Sequence, residues 1–114
     1  MLLKFDPYGI YCPQSDVYKN NKKPVKNAII THAHADHAKW GNQHYLTHKK
    51  SVPILRLRLG QNIDVEGIEY GEERVMNGVK ISLHPAGHIV GSAQVRLEYK
   101  GEIWVASGDY KLQL

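Results

Sequence analysis

Short apolar runs alternate along the chain with stretches rich in Gly, Asn and Pro. Runs of this kind, bounded by turn-forming residues, are typical of β-strands. The pairs Asn77-Gly78 and Lys100-Gly101 each lie between two such runs and predict hairpin turns. The pattern predicts a chain made mostly of strands, at residues 2–5, 9–11, 25–31, 44–47, 66–70, 78–84, 93–99 and 102–107.

Two segments depart from this pattern. Residues 51–59 carry apolar side chains at the spacing of one helix face, with Pro53 in the first turn and Gly60 just beyond the end. We therefore expect a short α-helix there. Residues 14–24 are polar, with three lysines and two asparagines, and we expect a surface loop.

The predicted strand at residues 25–31 is almost continuously apolar, which is typical of a strand covered on both faces. It runs directly into the sequence THAHADHAKW at residues 31–40, and residues 36–41 resemble a first helical turn. In a chain with seven His, the spacing H-x-H-x-D-H arises by chance in roughly one sequence in a thousand. Because α/β proteins place their sites at the carboxyl ends of strands, a functional role is favoured over a polar surface loop.

The types and spacing of these side chains indicate metal binding. His32 and His34 lie two residues apart, so in an extended segment they project to the same side and can bind one ion. Asp36 and His37 are adjacent and follow a change of direction, which suits a second ion. Imidazole and carboxylate ligands without thiolate favour Zn²⁺, with Mn²⁺ or Fe²⁺ as alternatives, over Ca²⁺.

Further ligands must come from elsewhere in the chain. The best candidates are His88, in HPAGHIVGSAQ, and Asp109, in VASGDY, each next to a predicted strand. An aspartate can bridge two ions with its two oxygens. Two ions about 3.5–4 Å apart activate water and stabilise the attacking and leaving oxygens of a phosphoryl displacement.

Length, charge and cysteine content narrow the class of protein. The chain has 114 residues, enough for one domain at most, and its net charge of +4 suits an anionic partner. Cys12 stands alone, which excludes an intramolecular disulfide and fits a reducing cytosol. The sequence lacks a basic leader and an apolar run of about 18 residues, so we expect a cytoplasmic protein without membrane contact.

Taken together, the motifs resemble the metallo-β-lactamase superfamily, and specifically its β-CASP-like, nucleic-acid-processing branch. Within that branch the sequence is similar to the N-terminal part of the bacterial DNA ligase-associated exonucleases, which resemble the mRNA 3′-end processing factors. The resemblance covers essentially the whole chain. It rests on GIYCP at residues 9–13, THAHADHAKWG at 31–41, RLRLG at 56–60, LHPAGHIVGSAQ at 83–94 and SGDYK at 107–111.

This resemblance implies a fold and a metal centre. The implied fold is α/β, the N-terminal half of an αββα sandwich, with a mostly β sheet and flanking helices. The implied ligands are three histidines for the first metal, an Asp–His pair for the second and a bridging aspartate: His32, His34 and His88, then Asp36 and His37, then Asp109. Asp36 and Asp109 are also the implied catalytic carboxylates. The intact family holds two Zn²⁺, and we expect one here, with Mn²⁺ as an alternative.

The resemblance also implies a metal-dependent phosphodiesterase that acts on nucleic acid. A DNA exonuclease associated with DNA ligase and with DNA repair is favoured, with DNA preferred over RNA. Two alternatives stay open. One is an RNA-processing β-CASP-type nuclease or another hydrolase of the same fold, and the other is a non-catalytic fragment that binds metal or nucleic acid.

The chain departs from the family's pattern in two ways. It stops at Leu114, before the β-CASP insert and the later histidines, so we expect residues 1–114 to form a partial domain that is inactive alone. Such a half-domain leaves one face of its sheet uncovered, which predicts self-association. In addition, Asn20 stands where the superfamily has an aspartate that orients the histidine motif, and Asp16 is the nearest acid.

Residues outside the motifs are expected to have structural or solvent-exposed roles. Cys12 is predicted to be a small buried side chain. His84 is predicted to pack or to form hydrogen bonds within the domain. The same structural or solvated role is expected for the remaining candidates, which are His44, His48, Lys49, Lys50, Arg56 and Arg58.

Overall fold

The computed structural model describes residues 2–6, 9–19, 21, 23–31, 41–85, 93–107 and 110–114, and in these residues the chain forms two facing β-sheets. The first sheet has six strands in chain order: β1 (Lys4–Asp6), β2 (Gly9–Cys12), β3 (Val17–Lys19), β4 (Asn27–Ile30), β5 (His44–His48) and β6 (Val65–Ile68). A 3₁₀ turn (Lys49–Ser51) and helix α1 (Val52–Leu59) connect its last two strands.

The second sheet is antiparallel and has five strands. These are β7 (Glu73–Met76), β8 (Val79–Pro85), β9 (Ala93–Tyr99), β10 (Glu102–Ser107) and β11 (Tyr110–Gln113), and they too lie side by side in chain order. With two sheets and one α-helix in the described residues, the fold is mixed α/β and mostly strand, as the sequence predicted. No described helix has the length and apolar character needed to cross a membrane.

Helix α1 covers one face of the first sheet. Leu55 and Leu59 of the helix pack against Ala28, Ile30 and Tyr45, which all project from that face of the central strands. Pro53 lies in the first turn and Gly60 caps the end, as predicted. Since the opposite face of the sheet packs against the second sheet, β4 is covered on both sides, which explains its continuous apolar sequence.

The space between the sheets is the main hydrophobic core. Alternate residues of β8 and β9 are fully buried and face the first sheet, where they meet every second residue of the strands opposite. The largest contributors from the two sheets include Leu3, Ile29, Leu46, Ile68, Ile81, Leu83, Val95 and Leu97. Apolar area of this kind, removed from water on both sheets at once, is what holds the layers together.

The structure corrects the expectation of a single half-covered sheet. The first sheet is not bare, because β7 to β11 turn back over it within the same 114 residues. The face without a described covering element is instead the outer face of the second sheet. Lys80, Arg96 and Glu98 project from that face, and its polar character differs from that of the core side.

Three strands were missing from the sequence prediction. The segment predicted to be a loop contains β3, whose apolar alternation is hidden because Lys19 occupies an inward position. The sequence of β7 is charged at Glu73 and Arg74, so its strand character depends on pairing with β8. Strand β11 similarly depends on pairing with β10. The other strands are confirmed, with their bounds shifted by up to two residues.

Two tight turns confirm the predicted hairpins. Asn77 and Gly78 have φ angles of 52° and 84°, and Lys100 and Gly101 have φ angles of 49° and 82°. Consecutive positive φ angles are characteristic of type I′ turns, whose twist matches that of paired strands. Gln14 Nε2 donates to the Asn77 carbonyl at 3.1 Å, and Asn77 Nδ2 donates to the Gln14 carbonyl at 2.7 Å. These bonds join the two sheets along one edge of the sandwich, called here the hairpin edge (Gln14, Asn77 and Lys100).

A valine-to-alanine substitution should lower the free energy of unfolding more in the core between the sheets than on an exposed strand. Val95→Ala should lower the free energy of unfolding by about 2 kcal/mol, because Val95 is fully buried and its methyl groups leave a cavity. Val75→Ala should cost less than about 1 kcal/mol, because Val75 is 60% exposed on strand β7. Urea unfolding of both variants measures the difference. Equal losses would contradict the packing of the two sheets.

Candidate metal centre

The six predicted metal ligands lie outside the described residues. They fall in three segments: residues 32–40, which hold His32, His34, Asp36 and His37; residues 86–92, which hold His88; and residues 108–109, which hold Asp109. The expected helical turn over residues 36–41 lies there too, apart from Gly41. The ends of the described strands, however, define where each of these segments leaves the sandwich.

One backbone hydrogen bond joins two of these departure points. Thr31, the residue after β4, is buried, and its carbonyl oxygen accepts a hydrogen bond from the Ala93 N–H at 3.2 Å. Thr31 lies at the end of a strand of the first sheet, and Ala93 is the first residue of β9 in the second sheet. Residues 32–40 therefore leave the first sheet beside the point where residues 86–92 enter the second.

The register of the second sheet brings the third segment to the same place. Pro85 pairs with Ala93 across β8 and β9, and Ser107 pairs with Tyr110 across β10 and β11. Gln94, next to Ala93, has its Nε2 at 3.5 Å from Ser107 Oγ. Residues 86–92 and 108–109 thus start and end on one edge of the sandwich, and residues 32–40 start there and rejoin the described chain at Gly41, beside Pro24 at the opposite end of β4. We call the shared edge the motif edge and define it by Thr31, Pro85, Ala93 and Ser107.

The set of predicted ligands in these three segments fits a borderline metal ion. Imidazoles and carboxylates are the ligands that Zn²⁺ and Mn²⁺ accept, and segments that leave from neighbouring strand ends can present them together. Within the described part of the chain, no group of three or more His, Cys, Asp or Glu is placed to hold a metal ion. The candidate centre therefore depends on the six predicted ligands.

Strand β5 supports the end of β4. Thr47 is buried and its Oγ1 donates to the Ile30 carbonyl at 2.8 Å, which satisfies that carbonyl beside the motif edge. The next residue of β5, His48, is 5% exposed, and its ring lies 4.1 Å from that of Tyr70 between centroids. Sequence reasoning assigned these residues no part in the site, because their nearness to Thr31 follows only from the parallel pairing of β4 with β5.

Asp16 lies away from the motif edge. It sits in the turn between β2 and β3 at φ 56°, and its backbone carbonyl accepts from Asn27 Nδ2 at the start of β4. Tyr11 donates its hydroxyl to Asp16 Oδ1 at 2.9 Å. Burial and then this hydrogen bond raise the pKa of Tyr11. Asp16 thus lies at the start of β4, at the opposite end of that strand from Thr31, and Asn20 lies outside the described residues.

The other residues singled out in the sequence make contacts within the fold. His44 Nδ1 lies 3.1 Å from Asp64 Oδ2 at the start of β5, far along the strand from the motif edge. His84 Nε2 lies 2.9 Å from Ser82 Oγ on the outer face of the second sheet. Cys12 is 1% exposed in the core, which confirms the predicted buried thiol.

Lys19 is a buried cation that sequence reasoning did not find. It is 5% exposed at the end of β3 and lines a cavity of about 10 Å³ between the sheets. It pairs with Ile29 of β4, two residues before Thr31. The available signal was the alternation of β3, since Lys19 lies two residues after the buried Val17 and thus on the same face.

Comparison with known proteins adds two relatives and a fold. The chain is 32% identical over 109 residues to a probable DNA ligase from Opitutus terrae, spanning 93% of this chain and 10% of that protein. It is 25% identical over 122 residues to an RNase J-like protein from Methanocaldococcus jannaschii, spanning 89% of this chain and 29% of that protein. No protein-family model matches the sequence.

A solved structure shows the same architecture. A metallo-β-lactamase from Cronobacter sakazakii with a mutated HARLDQ motif superposes with a TM-score of 0.52 at 13% identity. The superposition covers 92% of this chain and 55% of that structure. The chain therefore spans less than two thirds of each of these three proteins.

The proposed ligands predict zinc binding that depends on the motif edge. We expect about one tightly held Zn²⁺ per folded chain, because three histidines and Asp109 suffice for a four-coordinate ion. His32→Ala combined with His34→Ala should abolish it, since two of those four ligands are lost. Elemental analysis of dialysed protein, with circular dichroism as a check on folding, measures the content.

The matched control is His44→Ala, which removes an imidazole that lies with Asp64 at the other end of β5. This variant should keep its zinc. Folded wild-type protein without zinc, or an unchanged zinc content in the double variant, would contradict the assignment.

Proposed function

Because this chain has the metallo-β-lactamase fold and relatives consistent with its β-CASP-like branch, we propose that it belongs to a lineage of metal-dependent nucleases. In this proposal residues 1–114 are part of the catalytic domain, carrying its motifs up to the bridging aspartate. The observation that carries the proposal is the common departure of three ligand-bearing segments from the motif edge, joined by the Ala93 to Thr31 hydrogen bond.

Each proposed ligand has a distinct role. His32, His34 and His88 would hold the first ion, Asp36 and His37 would hold the second, and Asp109 would be a ligand of both. When bound, the two ions supply activation of water and charge stabilisation for cleavage of a phosphodiester. The chain's own residues bind and orient the substrate and hold the ligands at fixed separation, which the anchored strand ends support.

DNA is the preferred substrate in this proposal. We propose an exonuclease that works beside a ligase in DNA repair, in the cytoplasm. The relative with the higher identity is called a probable DNA ligase, which supports the link to DNA ligation. The chain's net charge of +4 favours an anionic polymer of either kind. The second candidate function is an RNA-processing nuclease, and the RNase J-like relative supports it. A non-catalytic binding fragment is the third.

We expect no detectable exonuclease activity from residues 1–114 alone, on single- or double-stranded DNA, with Zn²⁺ or Mn²⁺. In this proposal a ligand of the second metal and a general acid come from a further part of the domain. Loss of a general acid alone costs about 10²–10⁴ in rate. Release of labelled nucleotides from DNA and RNA of the same length measures activity and substrate preference together.

A C-terminal half of the domain, supplied as a separate chain, should restore digestion. Asp36→Ala or Asp109→Ala should then abolish it, whereas His44→Ala should not. Digestion by the 114-residue chain alone that survives both aspartate substitutions would show that the site is elsewhere. Restored digestion of RNA but not DNA would favour the second candidate.

A further inference from the structure

Three consecutive residues with cationic or hydrogen-bonding side chains stand beside the motif edge. Strand β5 runs parallel to β4, and Ile30 pairs with Thr47. The next residues of the two strands are Thr31, which precedes the histidine motif, and His48. Lys49 and Lys50 follow His48 directly in the 3₁₀ turn. The segment therefore begins one strand away from the point where the candidate metal ligands leave the sheet.

The imidazole of His48 is held in one orientation. Its Nδ1 accepts a hydrogen bond from the Lys50 N–H at 3.1 Å, and its ring packs on that of Tyr70. Since Nδ1 is an acceptor, the proton of the neutral ring lies on Nε2. His48 thus offers an N–H donor from a side chain that is 5% exposed, so ordering it on a ligand costs little further entropy.

Lys49 and Lys50 are exposed, but their backbone is fixed. A Cβ on Gly67 of β6 would lie 2.9 Å from the Lys49 Cα, so only glycine lets the 3₁₀ turn approach this strand so closely. The Lys49 side chain is 72% exposed, and its Nζ lies 4.0 Å from Glu69 Oε1 in a pair that is itself exposed. Such a pair contributes little, which leaves the ammonium available to a stronger anion.

We propose that His48, Lys49 and Lys50 form a phosphate-contact strip that holds the backbone of a nucleic-acid strand at the motif edge. Two ammonium groups and one N–H donor suit successive phosphodiester oxygens and carry no base preference. The inference rests on the proposed function, because it adds a substrate contact to that site. It assigns a binding role to residues that sequence patterns alone mark as solvated or structural.

The first test measures binding without cleavage. Fluorescence anisotropy of labelled oligothymidylate and oligouridylate is recorded in EDTA over a series of salt concentrations. The double variant Lys49→Gln with Lys50→Gln should bind roughly tenfold or more weakly at low salt. The slope of the logarithm of its binding constant against the logarithm of salt concentration should also become shallower by about 0.7 for each lost contact. Lys26→Gln with Lys80→Gln removes the same charge from exposed positions elsewhere and should change binding less than twofold.

The second test separates the donor of His48 from its packing role. In His48→Asn the amide oxygen replaces Nδ1 and keeps the Lys50 contact, while the Nε2 donor is lost. In His48→Gln the amide nitrogen replaces Nε2, while the Nδ1 acceptor is lost. We expect roughly tenfold weaker binding for the Asn variant and near wild-type binding for the Gln variant. The reverse order, or equal losses, would remove His48 from the strip.

Failure of this inference and failure of the proposed function give different results. In one outcome, the Lys49, Lys50 variant and the Lys26, Lys80 variant bind the oligonucleotides equally well while the His32→Ala, His34→Ala protein still loses its zinc. That result would overturn the strip and leave the metal centre intact. Lack of binding by the wild-type chain would likewise overturn the strip. Selective weakening by the Lys49 and Lys50 substitutions, in a chain without zinc, would support the strip and contradict the metal centre.

Discussion

The hydrogen bond from the Ala93 N–H to the Thr31 carbonyl is the contact on which the candidate site depends. It joins the end of β4 to the start of β9, and so fixes two sheets to each other at the motif edge. A buried backbone group without a partner is costly, so Thr31 and Ala93 constrain each other's position. At the opposite edge the paired amides of Gln14 and Asn77 do the same. Between these two points the apolar core sets the spacing of the sheets.

Structural features that depend on residues a few positions apart could be predicted from the sequence. Helix α1, the two type I′ turns and the doubly covered β4 each follow from residue type and spacing within a few positions. The chemistry of the predicted ligands also follows from residue type. The packing of two sheets, by contrast, depends on pairings between residues far apart in the chain. The strands β3 and β7 exist because neighbours pair with them, since their own sequences contain charged residues.

The same distinction applies to the surroundings of the site. His48 is an isolated polar residue in the sequence, and only the parallel register of β4 and β5 places it beside Thr31, the residue before the histidine motif. Asp16 shows the converse, because it is close to the motif in sequence but lies at the other end of the strands. Sequence distance did not reveal the position of either residue relative to Thr31, because that position depends on the direction and pairing of the strands. The sandwich supplies the edge, and the segments that leave it carry the predicted ligands.

We propose that the metal centre lies at the motif edge. Paramagnetic broadening of backbone amide signals by Mn²⁺, in a ¹⁵N-labelled sample, tests it most directly, because broadening falls steeply with distance from the ion. With the ion at the motif edge, the signals of Thr31, Ala93 and Ser107 should broaden first, at substoichiometric Mn²⁺, while those of Asn77 and Lys100 at the hairpin edge stay sharp. Broadening that begins at the hairpin edge, or that affects both edges equally, would contradict it.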